Sequence, residues 1–212
     1  MRKWIPLVVI VATILFSAAV YRRLPDQMVI HWNASGEPDG LGSRLFGTFF
    51  LPVVIVFIWG VLLVLPKIDP RRANIEQFRD SYDILVIAVV TVTCLLHVGI
   101  LGSALGWPIQ VGRLAPVAIG GLFLVLGTLL PRFKSNFFFG IRTPWTLSSE
   151  TVWMRTHRVG GSMMMLIGAL MVVAGVLGTA RSLYLAVGGS LTLVVGLLLY
   201  SYLIWRSEQH SV

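Results

Sequence analysis

KSNFFFGIRTPWTLSSETVWMRTHRVGG, residues Lys134–Gly161, sets three consecutive phenylalanines, two tryptophans and the cations Arg142, Arg155 and Arg158 with His157 between two long apolar runs. A connection that only has to reach from one membrane helix to the next is short and polar. This one carries aromatic, cationic, hydroxyl and turn-forming residues together, which are the residue types of a binding surface. The apolar runs on either side decide the fold.

Over 212 residues the chain is 56% hydrophobic and 12% charged, with a mean hydropathy of +0.84. A water-soluble fold of this size cannot hide that much apolar surface, so lipid is part of its solvent. About 20 mostly apolar residues span a bilayer. Six runs qualify: Trp4–Tyr21, Phe46–Leu65, Ile84–Leu105, Leu114–Leu130, Val159–Thr179 and Leu183–Trp205. Each must be helical, because unpaired backbone groups in hydrocarbon cost several kcal/mol apiece. The expected fold class is therefore all-α: a polytopic membrane bundle of about six helices, with a structured external loop and a cytosolic interfacial helix. The first run follows Arg2 and Lys3 and ends near Ser17, as a signal peptide would, but exceeds the usual apolar core of such a peptide and reads as a retained helix.

Basic residues orient the bundle. With the N-terminus in the cytosol, that side holds Arg2, Lys3, Lys67, Arg71, Arg72, Arg79, Arg132, Lys134, Arg142, Arg155, Arg158 and Arg206; the other holds Arg22, Arg23, Arg44, Arg113 and Arg181. Positive charge concentrates on the cytosolic side of membrane proteins, so both termini and the aromatic loop are expected there. The same distribution accounts for the net charge of +8. Cations spread over separate loops favour anionic lipids as partners and argue against nucleic acid.

Two halves are expected: residues 1–106, with an external loop over 22–45, and residues 107–212, with the cytosolic loop over 132–160. The external loop has an extended pattern over Gln27–Trp32 and turn formers at 33–36 and 38–40. His31, Trp32, Asn33 and Asp39 are its candidate ligand-facing residues, or else a cap closing the bundle. Within the spans, His97 is the ionisable group to account for, since such residues turn toward the bundle interior; a hydrogen bond to a neighbouring helix is the simpler expectation. With Cys94 it makes only two potential metal ligands, so neither a metal nor another cofactor is expected. The second half concentrates glycine, and AIGGLFLVLG (118–127) resembles AVGGSLTLVVG (186–196) as a weak repeat.

In the cytosolic loop, Pro131 ends one helix and Pro144 disfavours helix at Thr143. Thr146 or Ser148 then caps a short helix to about Val159, with Glu150 at the positive end of its dipole. Glu150, Trp153 and His157 share one stripe, Thr151, Arg155 and Arg158 the next. An interfacial helix with tryptophans at headgroup depth explains this pattern. Ser148 or Ser149 with Glu150 and His157 has the composition of a hydrolase triad, but on one helix those side chains meet poorly. Neither phosphate-binding nor dinucleotide-binding glycine patterns occur.

FFFGIRTPWTLSSETVWMRTHRVGG (Phe137–Gly161) closely resembles the signature of the SdpI family of bacterial membrane proteins, and LPDQMVIHWNASGEPDG (Leu24–Gly40) resembles the small domain of unknown function that often precedes it. The resemblance implies a polytopic protein of the bacterial cytoplasmic membrane without catalytic activity, associated with immunity to a secreted killing peptide and with capture of a cytosolic winged-helix repressor. Carried over residue by residue, the matching positions are Asn136, Phe139, Gly140, Arg142, Thr143, Pro144, Trp145, Thr146, Ser149, Glu150, Trp153, His157, Arg158 and Gly160. Of these, Asn136, Phe139, Gly140, Arg142, Thr143, Pro144, Trp145, Glu150, Trp153, His157 and Arg158, together with Arg155 from the charged stripe, are the candidate partner-binding residues. A lipid-binding or transport protein is the alternative, and a membrane hydrolase a more distant one.

Overall fold

Six helices in the computed structural model, which describes residues 2–33, 35–178 and 182–209, are long and apolar enough to cross a membrane. Thr179 and Arg181, used in the span and charge readings, lie outside the described residues. In chain order the elements are α1 (Ile5–Val20), β1 (Gln27–Trp32), β2 (Pro38–Ser43), α2 (Arg44–Ile68), α3 (Arg72–Gln77), α4 (Arg79–Ala104), α5 (Val111–Leu129), α6 (Pro144–Ser148), α7 (Glu150–Leu177) and α8 (Ser182–Gln209). The protein is all-α apart from one two-stranded hairpin. Phe57, Val53 and Leu203 are among the many large apolar side chains on its outside, as expected where hydrocarbon replaces water.

The tightest packing is between α5 and α7. Gly161, Gly168 and Gly175 recur every seven residues, and a Cβ on any of them would lie 2.6–3.0 Å from the carbonyl oxygen of Gly127, Gly120 or Arg113, which also recur every seven. That shared period keeps small residues on one seam of two consecutive, oppositely directed helices. Backbone lies against backbone along the length of the pair. The resembling stretch in α8 is used differently, since Cβ atoms on Gly188 and Gly196 would meet open space.

On the first-half side, α4 packs against α1 and α2. Ser17 Oγ–H donates to the Thr13 carbonyl at 2.8 Å, so its oxygen accepts from His97 Nε2–H at 2.9 Å. His97 is fully buried and bridges α4 to α1 as expected; its Nδ1 has no hydrogen-bond partner among the described residues.

Two expectations need correction. The segment 38–43 forms β2, not a turn: it pairs antiparallel with β1 from Gln27↔Ser43 to Trp32↔Pro38, with irregular register near His31. Its Pro-Asp-Gly start hides the strand from a composition-based reading. The expected short interfacial helix ending near Val159 is instead the first part of α7, continuous from Glu150 to Leu177. No proline interrupts this stretch. Gly160 and Gly161 stay helical because α5 and the loop above it pack directly on their backbone.

Candidate functional site: a strap bonded to two halves of the bundle

Between α5 and α7 the chain forms a strap, residues 133–149, that is held from three directions. Asn136 organises its first bend. Fully buried, its Oδ1 accepts from the backbone N–H of Phe138 (3.0 Å) and Phe139 (2.6 Å), while Nδ2 donates to the carbonyls of Lys134 (2.9 Å) and Phe139 (3.0 Å). Both donors and both acceptor positions of the amide are used, so no other side chain of this size could replace it without orphaning buried groups.

The α7 helix supplies the second hold. Trp153 Nε1–H donates to the Phe133 carbonyl at 2.7 Å, and the His157 ring stacks on Trp153 with centroids 4.0 Å apart. Because the Ile141 backbone N–H can only donate, His157 Nε2 must accept it (3.0 Å), which places the ring proton on Nδ1, donating to the Trp153 carbonyl at 2.8 Å. Gly140 makes this possible: its φ is +102°, and a Cβ there would sit 2.2 Å from His157 Nε2. Both ring nitrogens of His157 are therefore engaged with backbone, and Ser149 Oγ–H donates instead to Glu208 on α8 (2.8 Å). The hydrolase arrangement of Ser148 or Ser149 with Glu150 and His157 does not close.

After Ile141 the strap turns into α6. Thr143 is extended, as Pro144 requires, and forms a reciprocal capping box with Thr146; Ser149 then caps α7 by accepting from the Val152 N–H at 3.2 Å. The caps thus fall at Thr143 and Ser149, not at Thr146 or Ser148. Trp145 Nε1–H donates to Ser201 Oγ and its ring meets Tyr202 edge-on at 5.4 Å, tying α6 to α8.

The third hold comes from the α2–α4 connection and involves residues the sequence reading did not select. Asp69, almost fully buried, accepts from the backbone N–H of Arg71 (2.7 Å) and of Phe137 (2.9 Å). Arg71 donates to Ser135 Oγ and to the Leu147 carbonyl (3.0 Å), with its guanidinium 5.1 Å from the Phe137 ring centre. Asn74 Nδ2 donates to the Ser135 carbonyl at 2.7 Å. The Asp69-Pro70 pair was the local signal, a turn former followed by a loop cation, but nothing in the sequence pairs it with residues more than sixty positions away.

Among the candidate partner-binding residues, Asn136, Phe139, Thr143, Trp153 and His157 are buried inside this construction, and Gly140 and Trp145 are half-buried. Arg142, Pro144, Glu150, Arg155 and Arg158 are exposed. Arg142 donates to the Phe137 carbonyl at 2.7 Å and otherwise faces outward. The strap is a rigid support that presents cations.

The hairpin lies at the opposite end of the bundle. His31 Nδ1 and Asp39 Oδ1 pair across the strands at 2.5 Å. Asn33 Oδ1 accepts from the N–H of Ser35 (2.9 Å) and Glu37 (3.0 Å), closing the turn. Met28, fully buried, plugs the hairpin onto α1 and α4 beside Val20, Leu24 and Leu101. Trp32 separates two cavities of about 370 and 250 Å³ between the hairpin and the start of α5. Arg113 lines the larger one together with Gly175 and Gly178 from the far end of α7. His31, Trp32 and Asn33 line the smaller, while Asp39 stays outside both as the partner of His31.

These features define a multi-pass helical membrane protein whose strap is built on buried polar groups and whose hairpin, at the opposite end of the bundle, borders paired cavities. The profile of the SdpI/YfhL protein family matches residues 132–205, and that of a domain of unknown function, DUF1648, matches residues 8–56. The chain is 24% identical over 172 residues to Immunity protein SdpI of Bacillus subtilis (strain 168), covering 81% of this chain and 80% of that protein. It is 34% identical over 87 residues to the Uncharacterized membrane protein YbgB of the same organism, covering 41% of this chain and 84% of that protein. This chain belongs to the SdpI family. No solved structure matches it.

Proposed function

We propose that the protein is an immunity-type receptor of the bacterial cytoplasmic membrane, with both termini and the strap in the cytosol and the hairpin outside. A secreted antimicrobial peptide engages the cavities around Trp32 and Arg113, and the strap passes the event to a cytosolic winged-helix repressor that docks on Arg142, Arg155 and Arg158. The observation that carries this reading is the span of α7. Its last turns, at Gly175 and Gly178, line the outer cavity, and its first turns, at Trp153 and His157, hold the strap. Because α7 lies backbone-to-backbone on α5, a displacement at the outer end moves the pair as packed rods, which is how helix shifts carry signals between faces. Similarity to Immunity protein SdpI supports an immunity role, and the peptide ligand is part of the proposal.

The test is protection. A Bacillus subtilis strain lacking Immunity protein SdpI and expressing this chain is challenged with spent medium of its parent, and survivors are counted. The wild-type chain restores survival; Trp32→Ala loses protection at the outer site, and Arg142→Ala or Arg158→Ala loses it at the strap, with all three inserted normally. Survival no better than that of the empty strain removes the immunity reading, and full protection in both arginine variants removes the strap from the mechanism.

A further inference from the structure

Beneath the strap lies a cavity of about 430 Å³ of which the receptor reading uses only Arg142, at the edge. Its walls are Leu85 of α4, Leu126 of α5 and Leu130 just beyond it, Met164 of α7 and Leu193 and Leu197 of α8, and its roof is the strap itself from Gly140 to Thr143. Among the described residues no acidic side chain lines it, and Arg142 is the one cation at its edge. On the α8 side the rim consists of Val194 and Leu198, 54% and 43% exposed, so the cavity opens toward the hydrocarbon that surrounds the bundle.

We infer that this cavity holds the upper acyl chain of an anionic phospholipid, with its phosphate on Arg142. Three observations select that occupant. The volume falls within the roughly 300–1,000 Å³ of small-ligand sites, yet would take only about one turn of a helix roughly 10 Å across, so a transmembrane peptide does not fit. The lining is apolar over one to two helical turns, with Phe133 and Met164 among the leucines, and becomes polar only at Arg142 and Thr143 of the strap, the profile of a chain below a headgroup. The Arg142 guanidinium spends one N–H on the Phe137 carbonyl and makes no ion pair among the described residues, which leaves donors for a phosphate held at the same depth. A lipid seated here supports the strap from below while its outer surface stays open to the cytosol. The inference shares Arg142 with the docking surface proposed above, and its test reads lipid retention and not protection, so the two can fail separately.

The purified chain is extracted from bilayers containing equal phosphatidylglycerol and phosphatidylcholine with identical acyl chains, and retained lipid is read by native mass spectrometry. The wild type keeps one phosphatidylglycerol in preference to phosphatidylcholine, and millimolar inorganic phosphate does not displace it. Arg142→Gln reduces that preference roughly tenfold, the size expected of a hydrogen bond to a charged group, while chain binding persists. Val194→Phe at the rim blocks entry and loses both lipids. Unchanged melting temperatures show that both variants are folded. Equal retention of the two lipids by the wild type, displacement by phosphate, or wild-type retention in Val194→Phe, which marks merely annular lipid, overturns the site.

Discussion

Gly140→Ala isolates the joint between strap and bundle. The substitution imposes two costs. Its backbone lies at φ +102°, where an L-residue is strained by about 1–3 kcal/mol. Its Cβ would lie 2.2 Å from His157 Nε2, forcing the ring away from the Ile141 N–H and leaving a buried donor and acceptor unpaired, about 1–3 kcal/mol more. The sum, about 2–6 kcal/mol, falls on the strap and not on the α5–α7 seam, so it appears as local opening. At tenfold per about 1.4 kcal/mol, the open population rises at least roughly 30-fold. Exposed Arg142 provides the assay: trypsin cuts after it only when the strap opens, and in that regime the cleavage rate tracks the open population. Helical circular dichroism stays unchanged. In a His157→Ala background the clash and the bond are both absent, so Gly140→Ala should cost only the backbone strain, about 1–3 kcal/mol. Equal effects of Gly140→Ala in the two backgrounds would refute the claim that Gly140 is required for the imidazole to approach.

Asp69→Ala leaves the N–H groups of Arg71 and Phe137 without their acceptor and should loosen the strap by about 2–4 kcal/mol, read as faster hydrogen exchange at Phe137; retained protection there contradicts the third hold. Gly168→Ala places a methyl 2.6 Å from the Gly120 carbonyl and should destabilise the protein by about 1–3 kcal/mol, whereas Gly196→Ala, facing open space, should stay within about 0.5 kcal/mol; comparable unfolding of the two in mixed micelles argues against the seam. In a Cys94→Ser background, Ser35→Cys should react with a membrane-impermeant maleimide in intact cells and Ser148→Cys only after lysis. The reverse pattern inverts the orientation.

The six spans were legible because hydrocarbon imposes one requirement on every segment, satisfied backbone and apolar side chains, and Leu-Val-Ile runs announce it without knowledge of their neighbours. Pro144 likewise announced the extended Thr143. Burial of Trp153 and His157 was not legible: on a helix wheel they form a polar stripe beside Arg155 and Arg158, and only the strap folding back over α7 turns one stripe inward and leaves the other outside. The strand β2 was missed because Pro38, Asp39 and Gly40 carry turn chemistry while their pairing partner, His31, is supplied by the other strand. The glycines of α5 and α7 were visible individually. Their common seven-residue spacing gains meaning only when the two helices are laid antiparallel. Arg71 counts in the sequence only as one of the charges that orient the bundle, and Asp69 and Asn74 carry no signal there of their contacts, since the partners of all three lie in a different loop.

Arg71 and Asn74 find Ser135 64 and 61 positions later in the chain. During biosynthesis the ribosome therefore delivers these polar groups, and the Asp69 carboxylate, long before the segment that neutralises their demand for hydrogen bonds has been translated. A nascent protein containing only three inserted helices must keep that connection wet, and it dries out when the later strap arrives. A chain cut short before residue 133 would leave Asp69, Arg71 and Asn74 to water, so this connection reaches its finished form only once the strap exists.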